Sequence, residues 1–172
     1  QFDQAAAERA IPAAGWGNLN FVALPETRDQ CGGGILGIRF PSVEIARMID
    51  LSCVKAESTE DEIRAAAALA IDRGCIAVFA LPAHTPLLGE CLSGSPDVML
   101  GGVVGFPAGG STTTVKAAAA RELVAMGCAE LDMVVNITWL KAGRFDRVRD
   151  DIKAVVEAGG VPVKVILECC YL

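Results

Sequence analysis

The sequence of 172 residues has few aromatic residues, one histidine and no cluster of positive charge. Aromatic side chains make up 5% of it, and its seven cysteines include no C-x-x-C pair. Together with a single histidine, His84, this argues against a zinc site. The formal net charge of −6 and the lack of a Lys/Arg cluster argue against nucleic acid as a partner.

Long apolar runs are also missing, although 52% of the residues are hydrophobic. Runs such as CIAVFALPA (75–83) are far shorter than the roughly 18 residues that a membrane span needs. No signal peptide is recognisable, and the cysteines lie mostly in apolar segments, which favours reduced thiols in a cytoplasmic protein. With so few aromatics, the core must be built from Ala, Val, Leu and Ile.

From residue 42 onward, short apolar strands alternate with helical patterns, at the spacing of a βα unit of about 30 residues. Five strands are predicted, in the segments MIDLSCV, CIAVFAL, VMLGGVVGF, ELDMVVN and VPVKVILE. Such near-continuous apolar runs are typical of parallel strands that are buried on both faces. Residues 1–41 show no sustained period, so we predict an N-terminal extension there, partly helical or loop, followed by one domain over 42–172.

Helix boundaries can be predicted from capping residues. Thr59 and Glu62 form a capping box and Gly74 is a stop signal, while Thr85 is predicted to cap a short helix with Pro86 in its first turn. The first helix should bury Ile63, Ala66, Ala67, Ala70 and Ile71. A helix over 144–160 should bury Phe145, Val148, Ile152, Val155 and Val156.

Five βα units without a GxGxxG motif leave two architectures, an open doubly wound sheet or part of a (β/α)8 barrel. By strand alternation, Asp132 and Asn136 share one face of the fourth strand, and Lys164 and Glu168 share one face of the fifth. Polar residues on one face of successive strands are typical of a barrel interior. Strand alternation therefore favours the barrel, while the open sheet stays possible at this point.

Asp132 stands between Leu131 and Met133 in an apolar strand, where an ionised carboxylate is costly without a partner. Strand-end amides or a neighbouring lysine could satisfy it, or it could serve chemistry. Lys164 is also a candidate, because desolvation in its apolar strand would lower its pKa and make it nucleophilic.

Three long motifs are similar to those of one enzyme family. VVGFPAGGSTTTVK (103–116), AELDMVVNITWLKAG (129–143) and VKVILECCYL (163–172) resemble deoxyribose-phosphate aldolase, a class I aldolase built as a (β/α)8 barrel. IDLSCVKAEST (49–59) is similar to that family's first-strand segment. The resemblance implies an α/β fold of the (β/α)8 TIM-barrel type, of which the chain supplies about the first five βα units, with residues 42–172 as the N-terminal part of the barrel. It also implies that the substrate is a phosphorylated deoxysugar. It implies cleavage of 2-deoxyribose 5-phosphate to glyceraldehyde 3-phosphate and acetaldehyde, without a metal or other cofactor.

The resemblance also implies roles for individual residues. The family's fourth-strand aspartate, which manages proton transfer with a second lysine, falls on Asp132. Its Schiff-base lysine lies on the next strand in a K-T-S-T-G-like motif, which residues 1–172 lack, so Lys164 is better interpreted as an electrostatic partner of Asp132. Asp50 and Asn136 are predicted supporting residues.

Several positions depart from the family pattern or carry plainer predictions. Leu51 and Ser52 replace the family's His and Thr, and Phe79 takes the place of a frequent cysteine, where it could narrow the pocket or fill the core. His84 is expected to be exposed in a loop. Lys116 and Lys141 are expected to be surface charges.

Two other functions stay open. A catalytically silent relative could act through binding or assembly, and a phosphosugar isomerase barrel would share the architecture but not the motifs. A complete barrel runs to about 250 residues, so we expect the 172 residues to be a portion of a longer polypeptide and to be inactive alone. The sequence is compatible with a homo-oligomer.

Overall fold

The computed structural model describes residues 45–171. The strands are β1 (Asp50–Cys53), β2 (Ala77–Ala80), β3 (Met99–Val104), β4 (Glu130–Val134) and β5 (Val163–Ile166). The helices are α1 (Glu60–Arg73), α2 (Thr85–Cys91), α3 (Thr113–Ala125), α4 (Ile137–Lys141) and α5 (Phe145–Gly159), with 3₁₀ turns at Pro82–His84 and Cys169–Tyr171. The predicted N-terminal extension, residues 1–41, lies outside the described residues.

All five strands form one parallel sheet in the order β1-β2-β3-β4-β5. A doubly wound sheet reverses its strand order at a switch point, so the sequential order excludes that architecture. Each strand is joined to the next through at least one helix, as parallel crossovers require. The predicted α/β fold of the (β/α)8 type is confirmed for these five strands.

The sheet is strongly curved. Lys164 on β5 forms an ion pair with Asp50 on β1, although these two strands are the opposite edges of the sheet. Neighbouring strands are about 4.8 Å apart, so the edges of a flat five-stranded sheet would be roughly 19 Å apart. Two side chains can meet over that span only if the sheet curls around its polar face, as the wall of a barrel does.

The convex face of the sheet packs against the helices and forms the larger core. Strand residues Leu51, Val78, Leu100, Leu131 and Met133 are buried there with Ile63, Ala66, Ala67 and Ala70 of α1. This cluster, as described over residues 45–171, contains no aromatic side chain. The low aromatic content of the sequence therefore correctly predicted that this core is built mainly from aliphatic side chains.

Helix α1 has the predicted ends. Thr59 accepts a hydrogen bond from the backbone N–H of Glu62, whose carboxylate accepts one in return from Thr59, and Gly74 ends the helix in a left-handed conformation. The prediction that Ile71 is buried is wrong, because its side chain is 41% exposed. At about 100° per residue, Ile71 falls beyond the stripe that Ile63 and Ala67 define.

The buried stripe of α5 is rotated from its predicted position. Val148 and Val155 are buried, but Phe145 is 66% and Val156 is 43% exposed, so two of the predicted core residues are wrong. The stripe runs instead through Asp151, which is 1% exposed. A buried ion pair described below explains why a carboxylate faces inward.

Helix α2 begins differently from the prediction. Thr85 is its first residue and not its cap, since the 3₁₀ turn Pro82–His84 runs directly into the helix and leaves His84 at the N-cap without a side-chain hydrogen bond. Pro86 lies in the first turn, as predicted. His84 is half-buried, which corrects the expectation that it is exposed.

None of the helices over residues 45–171 is long and apolar enough to cross a membrane.

Candidate active site

Four charged side chains from three strands meet on the concave face of the sheet. The Nζ atom of Lys164 on β5 lies 2.7 Å from Glu130 Oε1 and 3.4 Å from Asp132 Oδ1, both on β4. It also forms a hydrogen-bonded ion pair with Asp50 Oδ2 on β1. The structure thus brings together Asp50, Asp132 and Lys164, and it adds Glu130, which sequence analysis missed.

Strand register produces this cluster. Asp132 pairs directly with Lys164 between β4 and β5. Glu130 is two residues before Asp132 and therefore points to the same face. The same alternation that selected Asp132 and Asn136 could have selected Glu130 from the sequence.

The Lys164 ammonium is held in its charged form. Burial by itself would lower the pKa of Lys164, but hydrogen bonds to Asp50 and Glu130 and the charge of Asp132 outweigh burial and raise the pKa above its usual value. The side chain as a whole is 42% exposed. The ammonium is therefore protonated at neutral pH.

For the pKa of Asp132, the effect of burial outweighs the effect of the neighbouring ammonium. Burial raises the pKa of its carboxyl, the charge of Lys164 and its hydrogen bond oppose that rise, and the charges of Asp50 and Glu130 add to it. Apart from the ion contact with Lys164, Asp132 Oδ1 has no hydrogen-bond partner among residues 45–171. Asp132 thus takes up a proton more readily than an ordinary aspartate.

Phe79 forms the floor beneath the charged cluster. It is fully buried with Ala77 and Val103, and its ring centroid is 4.9 Å from Lys164 Nζ, a cation–π distance. Gly101 on β3 makes room for the ring, because a Cβ at that position would lie 2.3 Å from Phe79. Phe79 therefore fills the core of the concave face, one of its two predicted roles.

The structure gives Asn136 a capping contact at the end of β4. Its Oδ1 accepts a hydrogen bond from the backbone N–H of Trp139 at 3.0 Å and caps α4. Asn136 is buried.

Lys116 is not the surface charge that was predicted. It is fully buried, and its Nζ lies 2.7 Å from Asp151 Oδ2 and donates to the carbonyl of Val134 at 3.0 Å. The sequence did contain a signal, since Lys116, Ala120 and Leu123 share the buried stripe of α3. The partner, 35 residues away on α5, could not be identified from it. Lys141 is exposed, as predicted.

No group of three or more His, Cys, Asp or Glu side chains within 45–171 is arranged to hold a metal ion. No protein-family model matches the chain.

Curated relatives match about three quarters of the chain. The deoxyribose-phosphate aldolase of Klebsiella pneumoniae is 50% identical over 130 residues, which cover 74% of this chain and 52% of that protein. The deoxyribose-phosphate aldolase of Methanothermobacter thermautotrophicus is 46% identical over 129 residues, which cover 75% of this chain and 57% of that protein. The chain thus spans about half the length of the curated relatives it matches.

Solved structures give the same result. QR15, described as an aldolase, superposes with a TM-score of 0.69 at 32% identity over 75% of this chain and 57% of its own. The deoxyribose phosphate aldolase of Aeropyrum pernix, described as tetrameric, superposes with a TM-score of 0.65 at 26% identity, over 77% of this chain and 56% of its own. Over the residues that match, the chain is a relative of the deoxyribose-phosphate aldolases, which confirms the resemblance carried by its three long motifs.

Proposed function

We propose that the polypeptide carrying these residues is a class I aldehyde-lyase. It reversibly cleaves 2-deoxy-D-ribose 5-phosphate to D-glyceraldehyde 3-phosphate and acetaldehyde through a Schiff base on a lysine outside residues 1–172. The observation that carries this proposal is the contact of Asp132 with Lys164 on the concave face of a sheet related to aldolases.

In the cleavage step the substrate is an iminium at C1. The C2–C3 bond breaks, its electron pair moves into the iminium to form an enamine, and the C3 hydroxyl loses its proton as C3 becomes an aldehyde. C2 then takes up a proton and hydrolysis releases acetaldehyde. The step needs one group that accepts a proton and returns it.

Asp132 is the proposed proton carrier. A general acid–base works best when its pKa lies near the operating pH, and burial raises the pKa of Asp132 in that direction. The ion contact with Lys164 stabilises the ionised form, so the carboxylate can both accept a proton and release it. Glu130 and Asp50 complete the charge around the ammonium.

Lys164 is proposed as the electrostatic partner and not as the nucleophile. An amine must be neutral to attack a carbonyl, whereas hydrogen bonds to Asp50 and Glu130 overcome the effect of burial and raise the pKa of Lys164. Its ammonium instead supplies a positive charge beside the Asp132 carboxylate.

The full polypeptide is proposed to work in the cytoplasm as a homo-oligomer. Free thiols at Cys53, Cys75 and Cys128 suit a reducing compartment. The tetramer described for the Aeropyrum pernix aldolase supports self-association.

Two measurements on the full polypeptide test the function. Retro-aldol turnover is followed by the release of acetaldehyde from 2-deoxyribose 5-phosphate. Borohydride reduction in the presence of acetaldehyde, followed by peptide mapping, locates the Schiff base. We expect turnover and an adduct on a lysine outside residues 1–172. An adduct on Lys164 would make it the nucleophile. The absence of both turnover and adduct would favour a catalytically silent relative.

A further inference from the structure

A second set of charged residues, separate from the cluster around Lys164, lies at the end of β4. Lys116 of α3 and Asp151 of α5 are 0% and 1% exposed, and their side chains are 2.7 Å apart. Thr113 Oγ1 donates to the other carboxylate oxygen of Asp151, also at 2.7 Å. The two charges and the hydroxyl satisfy one another between two helices.

The pair is joined to the strand that carries Asp132. Lys116 Nζ donates at 3.0 Å to the carbonyl oxygen of Val134, two residues beyond Asp132. The next residue, Val135, donates its N–H to Ile166 at 3.1 Å, two residues beyond Lys164 on β5. Lys116 is thus bonded to the end of β4, and the residue after β4 is bonded to the end of β5.

The glycine-rich loop GFPAGG (105–110), between β3 and α3, packs against Lys116 and the end of β4. Gly105 has a positive φ of 69°, and a Cβ there would lie 3.0 Å from Lys116 Cε. Gly109 lies so close to β4 that a Cβ would come within 1.9 Å of the carbonyl oxygen of Val135. Glycine at both positions is explained by this close approach to Lys116 and to the end of β4.

Replacing such a buried pair with apolar residues is often neutral or stabilising, so stability alone is weak grounds for keeping two charges here. An apolar side chain at position 116 could pack equally well but could not donate to the Val134 carbonyl. What the charged pair supplies is a directed contact with the strand end.

We propose that Lys116 and Asp151 are positioning residues, which hold the end of β4 and thereby place the Asp132 carboxylate against Lys164. This rests on the proposed function where activity is concerned. The placement of Asp132 is a separate physical claim, which can be measured without any substrate.

The main test is a double variant, Lys116→Met with Asp151→Leu, in the full polypeptide. It removes both charges together, keeps similar volume and deletes the donor to Val134. Thr113→Val is the matched control, since it removes one hydrogen bond to Asp151 and leaves the contact between Lys116 and Val134 in place.

Two readouts are used. The titration of the Asp132 carboxyl, with Lys164, Asp50 and Glu130 as its charged neighbours, is followed by carbon-13 NMR. Turnover is followed as kcat and KM separately. A displacement of about 1 Å at a reacting group can cost roughly 10²-fold in rate, so we expect kcat to fall between roughly 10-fold and 10²-fold. KM should change little, and the Asp132 titration should shift to higher pH, because the carboxylate loses the contact with Lys164 that opposes the effect of burial.

The control should keep both the Asp132 titration and kcat close to those of the parent. A folded double variant with the parent's titration and kcat would overturn the proposal and leave the pair a purely structural role. If the double variant does not fold, Gly105→Ala displaces Lys116 without removing a charge, and the same two readouts decide. If the parent itself shows no turnover, the proposed function fails, while the Asp132 titration still tests the positioning.

Discussion

The two faces of the same sheet are built on different principles. Leu131 and Asp132 are neighbours on β4, yet Leu131 is fully buried beneath the helices and Asp132 lies 3.4 Å from an ammonium on the other side. The convex face is filled by aliphatic volume. The concave face combines a small apolar floor, centred on Phe79, with three carboxylates around one lysine. Leu131 should therefore affect mainly stability, and Asp132 mainly chemistry.

The largest expected effect is on the convex face. Leu131→Ala removes a fully buried side chain from the main core and should lower the free energy of unfolding by about 2–5 kcal/mol. Urea unfolding of the full polypeptide measures this loss. Leu131→Met, which conserves volume, should cost less than about 1.5 kcal/mol. An equal loss in both variants would show that packing is not what Leu131 supplies.

One residue further along, the expected effect changes in kind. Asp132→Asn should reduce aldol turnover by roughly 10² or more, the usual scale for losing a positioned acid–base. Because burial raises the pKa of Asp132 above its unfolded value, its contribution to stability is lost as the pH rises through the folded pKa. At pH 7 the Asn variant should thus be at least as stable as the parent. Parallel kinetics and urea unfolding test both, and near-normal turnover would contradict the role given to Asp132.

Two adjacent glycines on β3, Gly101 and Gly102, allow the packing of the two faces to be compared by adding a methyl group to each face in turn. Gly101→Ala on the concave face would place a Cβ 2.3 Å from the Phe79 ring, and overpacking of this kind costs about 1–3 kcal/mol. Gly102→Ala on the convex face meets Cys128, Leu123 and Leu131 at 3.0–3.1 Å, where smaller shifts suffice. Thermal unfolding should rank Gly101→Ala as the more damaging. Adding Phe79→Leu should restore stability to the Gly101 variant only.

The smallest expected effect is the pH dependence of the stability that Lys164 contributes. Hydrogen bonds to Asp50 and Glu130 raise the pKa of Lys164 against the effect of burial, so its contribution to stability is fully present below its unfolded pKa of about 10.4 and is lost as the pH rises through the folded pKa. The stability difference between the parent and Lys164→Met should be constant from pH 7 to about pH 10 and should narrow above it. Unfolding curves across this range measure it. A difference that narrows already near pH 8 would show an unprotonated lysine.

The elements were predictable because their signals are local. Strand alternation placed Asp132 and Lys164 on the right face, and Thr59, Glu62 and Gly74 marked the ends of α1. The errors at Ile71, Phe145 and Val156 have one cause. A hydrophobic residue at the edge of a helical stripe is buried only if a neighbouring element covers it, and the sequence does not show that neighbour.

The partners were not predictable because they are distant in sequence. Lys116 and Asp151 are separated by 35 positions, and Lys164 and Asp50 by 114. The buried stripe of α3 gave a local signal that Lys116 is buried, but nothing local identified its partner. Glu130 is a different case. Its alternation with Asp132 was visible in the sequence, but only Asp132, which stands between Leu131 and Met133, was selected.

The ion pair between Lys164 and Asp50 also has a mechanical meaning. The five strands form an arc, and these two side chains draw a chord between its ends. Strand number and shear set the radius of a barrel, so the distance between β1 and β5 is imposed on these two side chains and is not chosen by them. One lysine and one aspartate are long enough to span it. The ion pair therefore also works as a bridge across the concave face, and a shorter side chain at either position would leave the two strands unconnected there.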